Sequence, residues 1–300
     1  MLMLLRDLIM MRKFSPFLYF IIFLFLGACN HTPLDIDEEP FVLSDEERWM
    51  EYICSPSRMG RKAGTAGCDS VAVYIQHVLE GMNYDVVTQP FMIKDSLDLK
   101  NLYVVIKGYS DSLIVIGAHY DGAKNGKRFP AADDNGSGVV SLLSLCKYYS
   151  QSDHKPPKTL IAGFWGAEEV TAGAAFNGSK YFVKSFEDIK LIKYYCNLDC
   201  FARKGVGTFF YYSHGLQWVG SIMADLFTKV NLEGMEFSVK ENDKKSSDYM
   251  SFYNAKIPYF GWNDYSNSSF IHSSDDTINN ISFEQITAVV DLTTKLIDRL

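Results

Sequence analysis

The sequence predicts an α/β domain of three layers, α/β/α, built on a central mixed but largely parallel sheet. Three observations carry that prediction. Apolar runs of strand length alternate with segments of helical spacing, the order of repeated strand–helix units. Runs such as Leu113 to Ala118 and Thr159 to Trp165 are apolar at successive positions, so both faces of the sheet need cover. Of 300 residues, 47% are hydrophobic, enough for a substantial core.

The elements follow in order. Asp69 to Met82 has helical apolar spacing with Asp69 as the candidate N-cap. Tyr84 to Phe91 alternates like a strand, and Asn101 to Lys107 and Ser112 to Ala118 are apolar, β-branched runs. Gly138 to Tyr149 reads as a helix, Thr159 to Trp165 as a strand, and Ser179 to Ser185 opens another helix. Leu191 to Leu198, Thr208 to Tyr212 and Ile257 to Trp262 read as strands; Gln217 to Val230, Asp248 to Tyr253 and Phe283 to Arg299 read as helices. No internal repeat or long low-complexity linker interrupts them, so residues 45–300 are expected to form one domain.

The first 44 residues are expected to lie outside it. Met11-Arg12-Lys13 precedes the unbroken apolar run Phe17 to Ala28, too short for a bilayer span of about 20 residues and suited to a signal-peptide core. Leu26-Gly27-Ala28-Cys29 resembles a bacterial lipobox. That resemblance implies that residues 1–28 are an over-long start plus a lipoprotein signal peptide and that Cys29 is lipidated. Residues 29–44 would then be an acidic tether, and the chain would be exported and held on a bacterial membrane. A net charge of −7 offers no basic footprint, which excludes nucleic acid as an expected partner.

Beyond Cys29, five cysteines remain: Cys54, Cys68, Cys146, Cys196 and Cys200. An oxidising compartment permits bridges, with Cys54–Cys68 and Cys196–Cys200 as candidate pairs. No cysteine spacing suits zinc.

Ligands of open α/β sheets bind at the carboxyl ends of the strands, and there the acids and imidazoles collect. His119 and Asp121 follow one apolar run; Asp133-Asp134 opens the helix at 138; Glu168-Glu169, Asp199 and His272 follow three more. Each alone is ordinary. A histidine after a strand is usually packed, and adjacent acids also occur at Glu38-Glu39 and Glu46-Glu47 in polar stretches. Together they are a ligand set for zinc or a similar divalent ion, without which so many buried acids would repel one another.

The stretches "GAHYDG" (117–122), "AADDNGSGV" (131–139), "FWGAEEV" (164–170), "NLD" (197–199), "SSDYMSF" (246–252) and "IHSSDDT" (271–277), with "GRKAGTAG" (60–67) upstream, resemble the co-catalytic di-zinc exopeptidases. The similarity is to bacterial leucyl aminopeptidases, with glutaminyl cyclases and glutamate carboxypeptidases as relatives. It implies a zinc-exopeptidase, phosphorylase/hydrolase-like fold, two zinc ions and peptide substrates. It implies that His119, Asp133 and Asp199 hold one zinc, that His272, Asp133 and Glu169 hold the other, and that Asp133 bridges them beside a cis peptide at Asp133–Asp134. Asp121 would orient His119. Glu168 would be the general base for a bridged hydroxide attacking the bond after the N-terminal residue. Ser247, Asp248, Tyr249 and Tyr265 would line the substrate side, with Phe270 beside them. Two positions depart from the family pattern: Tyr249 stands where histidine is usual, and Ser273-Ser274 where Thr-Pro is common.

Three other activities remain open at this stage. A glutaminyl-peptide cyclotransferase would use one zinc on the same fold. A carboxypeptidase would need a basic pocket, for which Arg203-Lys204 is the nearby candidate. A non-catalytic, peptide- or glycan-binding surface lipoprotein would have no need of Glu168 and a full ligand set.

Overall fold

In a computed structural model, the described residues are 45–94, 97–230, 236–242, 246–264 and 269–300. The signal peptide, Cys29, the tether and Tyr265 lie outside them.

Eight strands form one sheet: β1 (Val87–Ile93), β2 (Leu97–Ile106), β3 (Ser110–His119), β4 (Lys158–Trp165), β5 (Ile192–Leu198), β6 (Thr208–Tyr212), β7 (Phe237–Glu241) and β8 (Tyr259–Asp264). Their order is β1-β2-β4-β3-β5-β8-β6-β7. The centre, β4-β3-β5-β8, is parallel; β1 and β2 run antiparallel on one side, and β6 is antiparallel to β8 on the other. The sheet is mixed with a parallel middle, as expected.

Seven α-helices cover it among the described residues: α1 (Glu46–Ile53), α2 (Ala66–Gly81), α3 (Gly138–Gln151), α4 (Asn177–Ser185), α5 (Gln217–Phe227), α6 (Tyr249–Asn254) and α7 (Phe283–Ile297). Strand side chains alternate between the two faces. Ile114, Ile116 and Ala118 pack with residues of α1, α2, α3, α5 and α7, while Leu113 and Val115 pack with α4 and α6. Leu160, Ala162 and Phe164 join the first face; Ile161 and Trp165 join the second. That alternation inside continuous apolar runs is what makes three layers.

Several boundaries differ from expectation. The N-cap of α2 is Thr65, whose Oγ1 accepts the Cys68 amide at 3.4 Å, and Asp69 sits in the first turn instead. Tyr84 precedes β1 and donates its hydroxyl to the Cys146 carbonyl at 2.8 Å. Neither α1 nor β7 was foreseen: α1 is an eight-residue helix that mixes Glu46, Glu47, Arg48 and Glu51 with its apolar residues, and β7 is a five-residue edge strand. The two candidate disulfides are corrected as well. All five described cysteines are buried free thiols, with Cys54 Sγ 3.4 Å from Met50 Sδ and Cys200 Sγ donating to Asp199.

One segment ties the entry of the domain to the strand ends. Met59, Gly60 and Arg61 all take positive φ, at 51°, 74° and 42°. A Cβ on Gly60 would stand 2.2 Å from the Lys124 carbonyl oxygen, so the chain passes there only with glycine. The turn delivers the fully buried Arg61, which donates to the carbonyls of Tyr120 (2.9 Å), Pro130 (2.5 Å) and Ala131 (2.5 Å). One guanidinium thus clamps the loop after β3 to the turn before α3.

Candidate metal centre

Both of those loops carry acids of the same cluster. His119 ends β3; Glu168 and Glu169 follow β4; Asp199 follows β5; His272 lies beyond β8; Asp134 sits in the tight turn 132–137. Three adjoining non-glycine residues, Ala167, Cys200 and His272 itself, adopt positive φ near 55–60° (57°, 53° and 61°). Strain of this kind persists where the surroundings enforce it, and it gathers at sites.

The geometry centres on Asp134. One of its oxygens lies 3.3 Å from His119 Nε2 and the other 2.8 Å from His272 Nε2. Asp199 Oδ1 is also 3.3 Å from His119 Nε2, and Glu169 Oε1 is 2.8 Å from His272 Nε2. Glu168 Oε2 stands 3.9 Å from His119 Nε2. Ligand atoms close enough to hold a metal occur in the groups His119–Glu168–Asp199, Asp134–Glu169–His272 and Asp134–Asp199–Cys200.

Asp133, expected as the bridging acid, belongs to none of these groups. Its carboxylate accepts the Ala202 amide at 2.8 Å and faces Asp264, while its own amide donates to Asp276 Oδ1 at 2.6 Å. Asp276 takes the Asp134 amide on its other oxygen at 3.1 Å. With both amides tied to Asp276, it is the second acid whose side chain reaches the imidazoles. The cis peptide is correspondingly at Asp134–Asn135, one residue beyond the expected bond. Adjacency of two aspartates in a non-repetitive turn gives no periodicity from which to tell them apart. The only signal was Asn135, whose side chain donates to the Leu198 carbonyl at 2.8 Å and accepts the Gly138 amide at 2.9 Å, fixing the turn.

Asp121 is fully buried, and its carboxylate serves the acid pair more closely than the imidazole. Oδ1 accepts the Glu168 amide at 2.9 Å and Oδ2 the Glu169 amide at 3.2 Å, whereas Oδ1 is 3.7 Å from His119 Nδ1. Ser247 donates to Asp199 Oδ2 at 2.6 Å and accepts from Asn197, so it anchors a ligand rather than only lining a wall. Asp248 is buried with one oxygen unpartnered. Tyr249 is buried, stacked on Tyr259 at 4.5 Å, and lines the cavity. Phe270 is covered by the Arg203 guanidinium 3.7 Å above its ring, and Lys204 donates to the Asn279 carbonyl. Neither cation lines the cavity. His154 and His214 pair with Asp298 and Glu241 away from the site.

Electrostatics divide the acids. Burial pushes the Glu168 carboxyl well up against the pull of His119, and Asp248, Asp199 and Glu169 add to the rise. Glu169 is raised by burial and by Asp134. Burial would raise Asp134 too, but the two imidazoles hold it below the ordinary range. His272, beside Asp134 and Glu169, is pushed up to about 10. His119 is raised because the carboxylates around it outweigh its burial. In the protein groups alone, the imidazoles thus carry protons that balance the acids.

Zinc fits this donor set. Glu169 Oε1 is a buried carboxylate oxygen with no hydrogen bond of acceptable geometry. His272 meets two carboxylates and His119 three, each through its Nε2, and hard oxygens with imidazole nitrogens are the usual zinc donors. The cluster lines a cavity of about 560 Å³ that Phe209, Tyr211 and Tyr249 also line.

Comparison with known proteins agrees with this chemistry. Residues 101–297 match the model of peptidase family M28. The chain is 26% identical over 256 residues to leupeptin-inactivating enzyme 1 of Streptomyces exfoliatus, covering 78% of this chain and 55% of that protein, so it spans about half of that relative's length. Among solved structures it resembles BSAP, a zinc aminopeptidase from Bacillus subtilis, with TM-score 0.72 and 15% identity over 87% of this chain and 95% of that one. Porphyromonas gingivalis glutaminyl cyclase superposes with TM-score 0.71 and 19% identity over 87% and 99%. At such identities the two structures bear on the fold alone.

Proposed function

The chain belongs to peptidase family M28, and we propose that it is a zinc-dependent aminopeptidase that removes residues from the N-termini of peptides. The observation that carries the reading is Asp134, one oxygen on each imidazole, with Glu168 beside the cluster. His119 and Asp199 would hold one ion, His272 and Glu169 a second, and Asp134 would join both. Zinc, when bound, supplies Lewis acidity that polarises a carbonyl and makes water a competent nucleophile near neutral pH.

The remaining work falls to side chains. Glu168 lines the cavity and makes the longest of the approaches to His119, at 3.9 Å. Burial raises its carboxyl well above the ordinary glutamate range, which suits a group that takes a proton from the attacking water and gives it to the departing amine. Asp121 fixes the backbone of both glutamates, and Ser247 fixes Asp199.

The glutaminyl-cyclase reading is supported by a fold similarity about as close as that to the aminopeptidase. Metal analysis of the purified chain, run with an aminoacyl-anilide panel that includes a glutaminyl substrate, separates the two. About two zincs per chain, with hydrolysis lost in Glu168→Gln, is expected. One zinc with cyclisation of N-terminal glutamine and no hydrolysis overturns the aminopeptidase reading.

We further infer membrane attachment through lipidated Cys29. No helix among the described residues is long and apolar enough to cross a membrane. The lipobox-like Leu26-Gly27-Ala28-Cys29 supports a lipid anchor. Cys29→Ala should move the chain from the membrane to the soluble fraction; unchanged partition would remove the anchor.

A further inference from the structure

We infer that Trp165, Tyr195 and Asn197 are positioning residues for the metal centre. With Ser247 they form a one-way row of hydrogen bonds that ends on Asp199 and leaves one of its two oxygens for the ion. This deepens the exopeptidase reading, and it rests on the metal centre of that reading rather than on its substrate.

The row runs from the end of β4 through β5 to the metal cluster. Trp165 Nε1 donates to the Tyr195 hydroxyl at 3.1 Å, and that hydroxyl donates to Asn197 Oδ1 at 2.9 Å. Asn197 Nδ2 donates to Ser247 Oγ at 2.9 Å, and Ser247 Oγ donates to Asp199 Oδ2 at 2.6 Å. The four donor residues are at most 4% exposed, so each finds its partner within the protein. The direction is set at the start, because an indole nitrogen can only donate. Trp165 turns the Tyr195 proton onto Asn197. That fixes the Asn197 amide with its oxygen toward Tyr195 and its nitrogen toward Ser247. Ser247 accepts there and turns its own proton onto Asp199. Each donor polarises the next, and the shortest bond is the last, where the acceptor is a carboxylate. Oδ2 of Asp199 is thereby taken. Oδ1, which stands 3.3 Å from His119 Nε2, is left for the ion; its other neighbour, the Cys200 thiol at 3.2 Å, is a weak donor. Neighbouring residues make room for the row and hold it. A Cβ on Gly117 would stand 2.2 Å from Trp165 Nε1 and 2.5 Å from the Tyr195 hydroxyl oxygen. The Tyr195 ring is stacked on Phe252, with centroids 3.7 Å apart. The ordinary alternative is a set of buried polar groups that only satisfy one another, whose loss would lower stability and leave metal affinity alone.

The test is the zinc Kd of the full chain, measured by competition with a chromophoric chelator. Tyr195→Phe keeps the ring on Phe252 and removes one link; Ser247→Ala removes the last. Each should weaken zinc binding about 10–100-fold, the range for groups that orient metal ligands. The double variant should bind no worse than the weaker single, because links of one row do not act independently. Thr293→Val is the control: it strips the Trp262 indole of its acceptor, 2.9 Å away, and should lower Tm while leaving zinc binding unchanged. A wild-type Kd in Tyr195→Phe, single losses that multiply in the double variant, or an equal loss in Thr293→Val overturns the inference. The indole N–H resonances of the wild-type chain decide it without any variant having to fold. Zinc should shift that of Trp165 and leave that of Trp262 in place; no response from Trp165, or the same response from both, overturns the row. Hydrolysis of aminoacyl anilides is scored separately. Zinc bound with a Kd that depends on Tyr195, but without turnover, would sink the exopeptidase reading and keep the row. A wild-type chain that binds no zinc overturns both.

Discussion

Asp121 accepts the backbone amide of Glu168 at 2.9 Å, so a buried carboxylate at the end of β3 positions the acid at the end of β4. Its second oxygen holds Glu169 at 3.2 Å. Two adjacent strand ends are thereby locked into one rigid unit carrying both a proposed zinc ligand and a proposed base. Replacing Asp121 by Asn leaves one acceptor and turns a donor toward the other amide, which is then buried unpaired. We expect Asp121→Asn to lower kcat by about 10–100-fold, the usual range for groups that orient metal ligands, with far-UV circular dichroism preserved. A variant with wild-type kcat would place the control of Glu168 elsewhere.

Asp133 and Asp134 make a paired test, because neighbouring aspartates differ here only in where the turn points them. Asp134 faces both imidazoles; Asp133 faces the Ala202 amide and Asp264. Asp134→Asn should reduce zinc at both positions, read by metal analysis after equilibrium dialysis. Asp133→Asn should keep most of the metal. The reverse pattern would restore Asp133 as the bridge.

That pair also marks how far the sequence can be read. The alternation of apolar runs and helical segments foretold the three layers and parallel centre, because burial on both faces leaves a compositional trace. That His119, Glu168, Glu169, Asp199 and His272 come together was legible, since each follows an apolar run and a strand end is a definite place. Asp134 over Asp133 was not, because the choice depends on Asp276 binding both amides from across the fold. That Lys240 stands beside Phe209 was illegible for the same reason. It sits on a short edge strand near no motif, and only the pairing of β7 with β6 brings it beside Phe209.

Arg61 should matter to stability out of proportion to its distance from the cluster. It is fully buried, and three carbonyls depend on its guanidinium. Arg61→Met keeps much of the volume and removes the donors. Leaving buried acceptors unpaired costs about 1–3 kcal/mol each before relaxation, so a total near 3 kcal/mol is expected. In a domain of this size that is a fall in Tm of roughly 6–12 °C. Because the clamp joins the loop after β3 to the turn carrying Asp134, zinc affinity should fall with it. A Tm within a degree of wild type would show that the carbonyls find other donors.

The metal-free chain should lose stability steadily as pH rises. Glu46, buried in α1, has its carboxyl raised to about 7 chiefly by burial, and Asp248 is raised to about 7 by the same cause. For both, the folded state holds the proton more tightly than the unfolded one. Their contribution is therefore complete below about pH 4 and is lost as pH rises through about 7. His272, raised to about 10 by Asp134 and Glu169, contributes fully below its ordinary value of about 6.5 and loses that contribution as pH rises through about 10. The two windows join, so the Tm of EDTA-treated protein should fall from pH 5 to pH 10. His272 is partly exposed, so its share is screened and modest. Zinc reverses the upper half of that trend, because a metal-bound imidazole has no proton to lose and affinity grows as the competing proton leaves. The gap in Tm between zinc-loaded and EDTA-treated protein should widen between pH 6 and pH 9. Glu46→Gln, remote from the cluster, should flatten only the lower window. A metal-free Tm that rises with pH would contradict the assignment of bound protons to these groups.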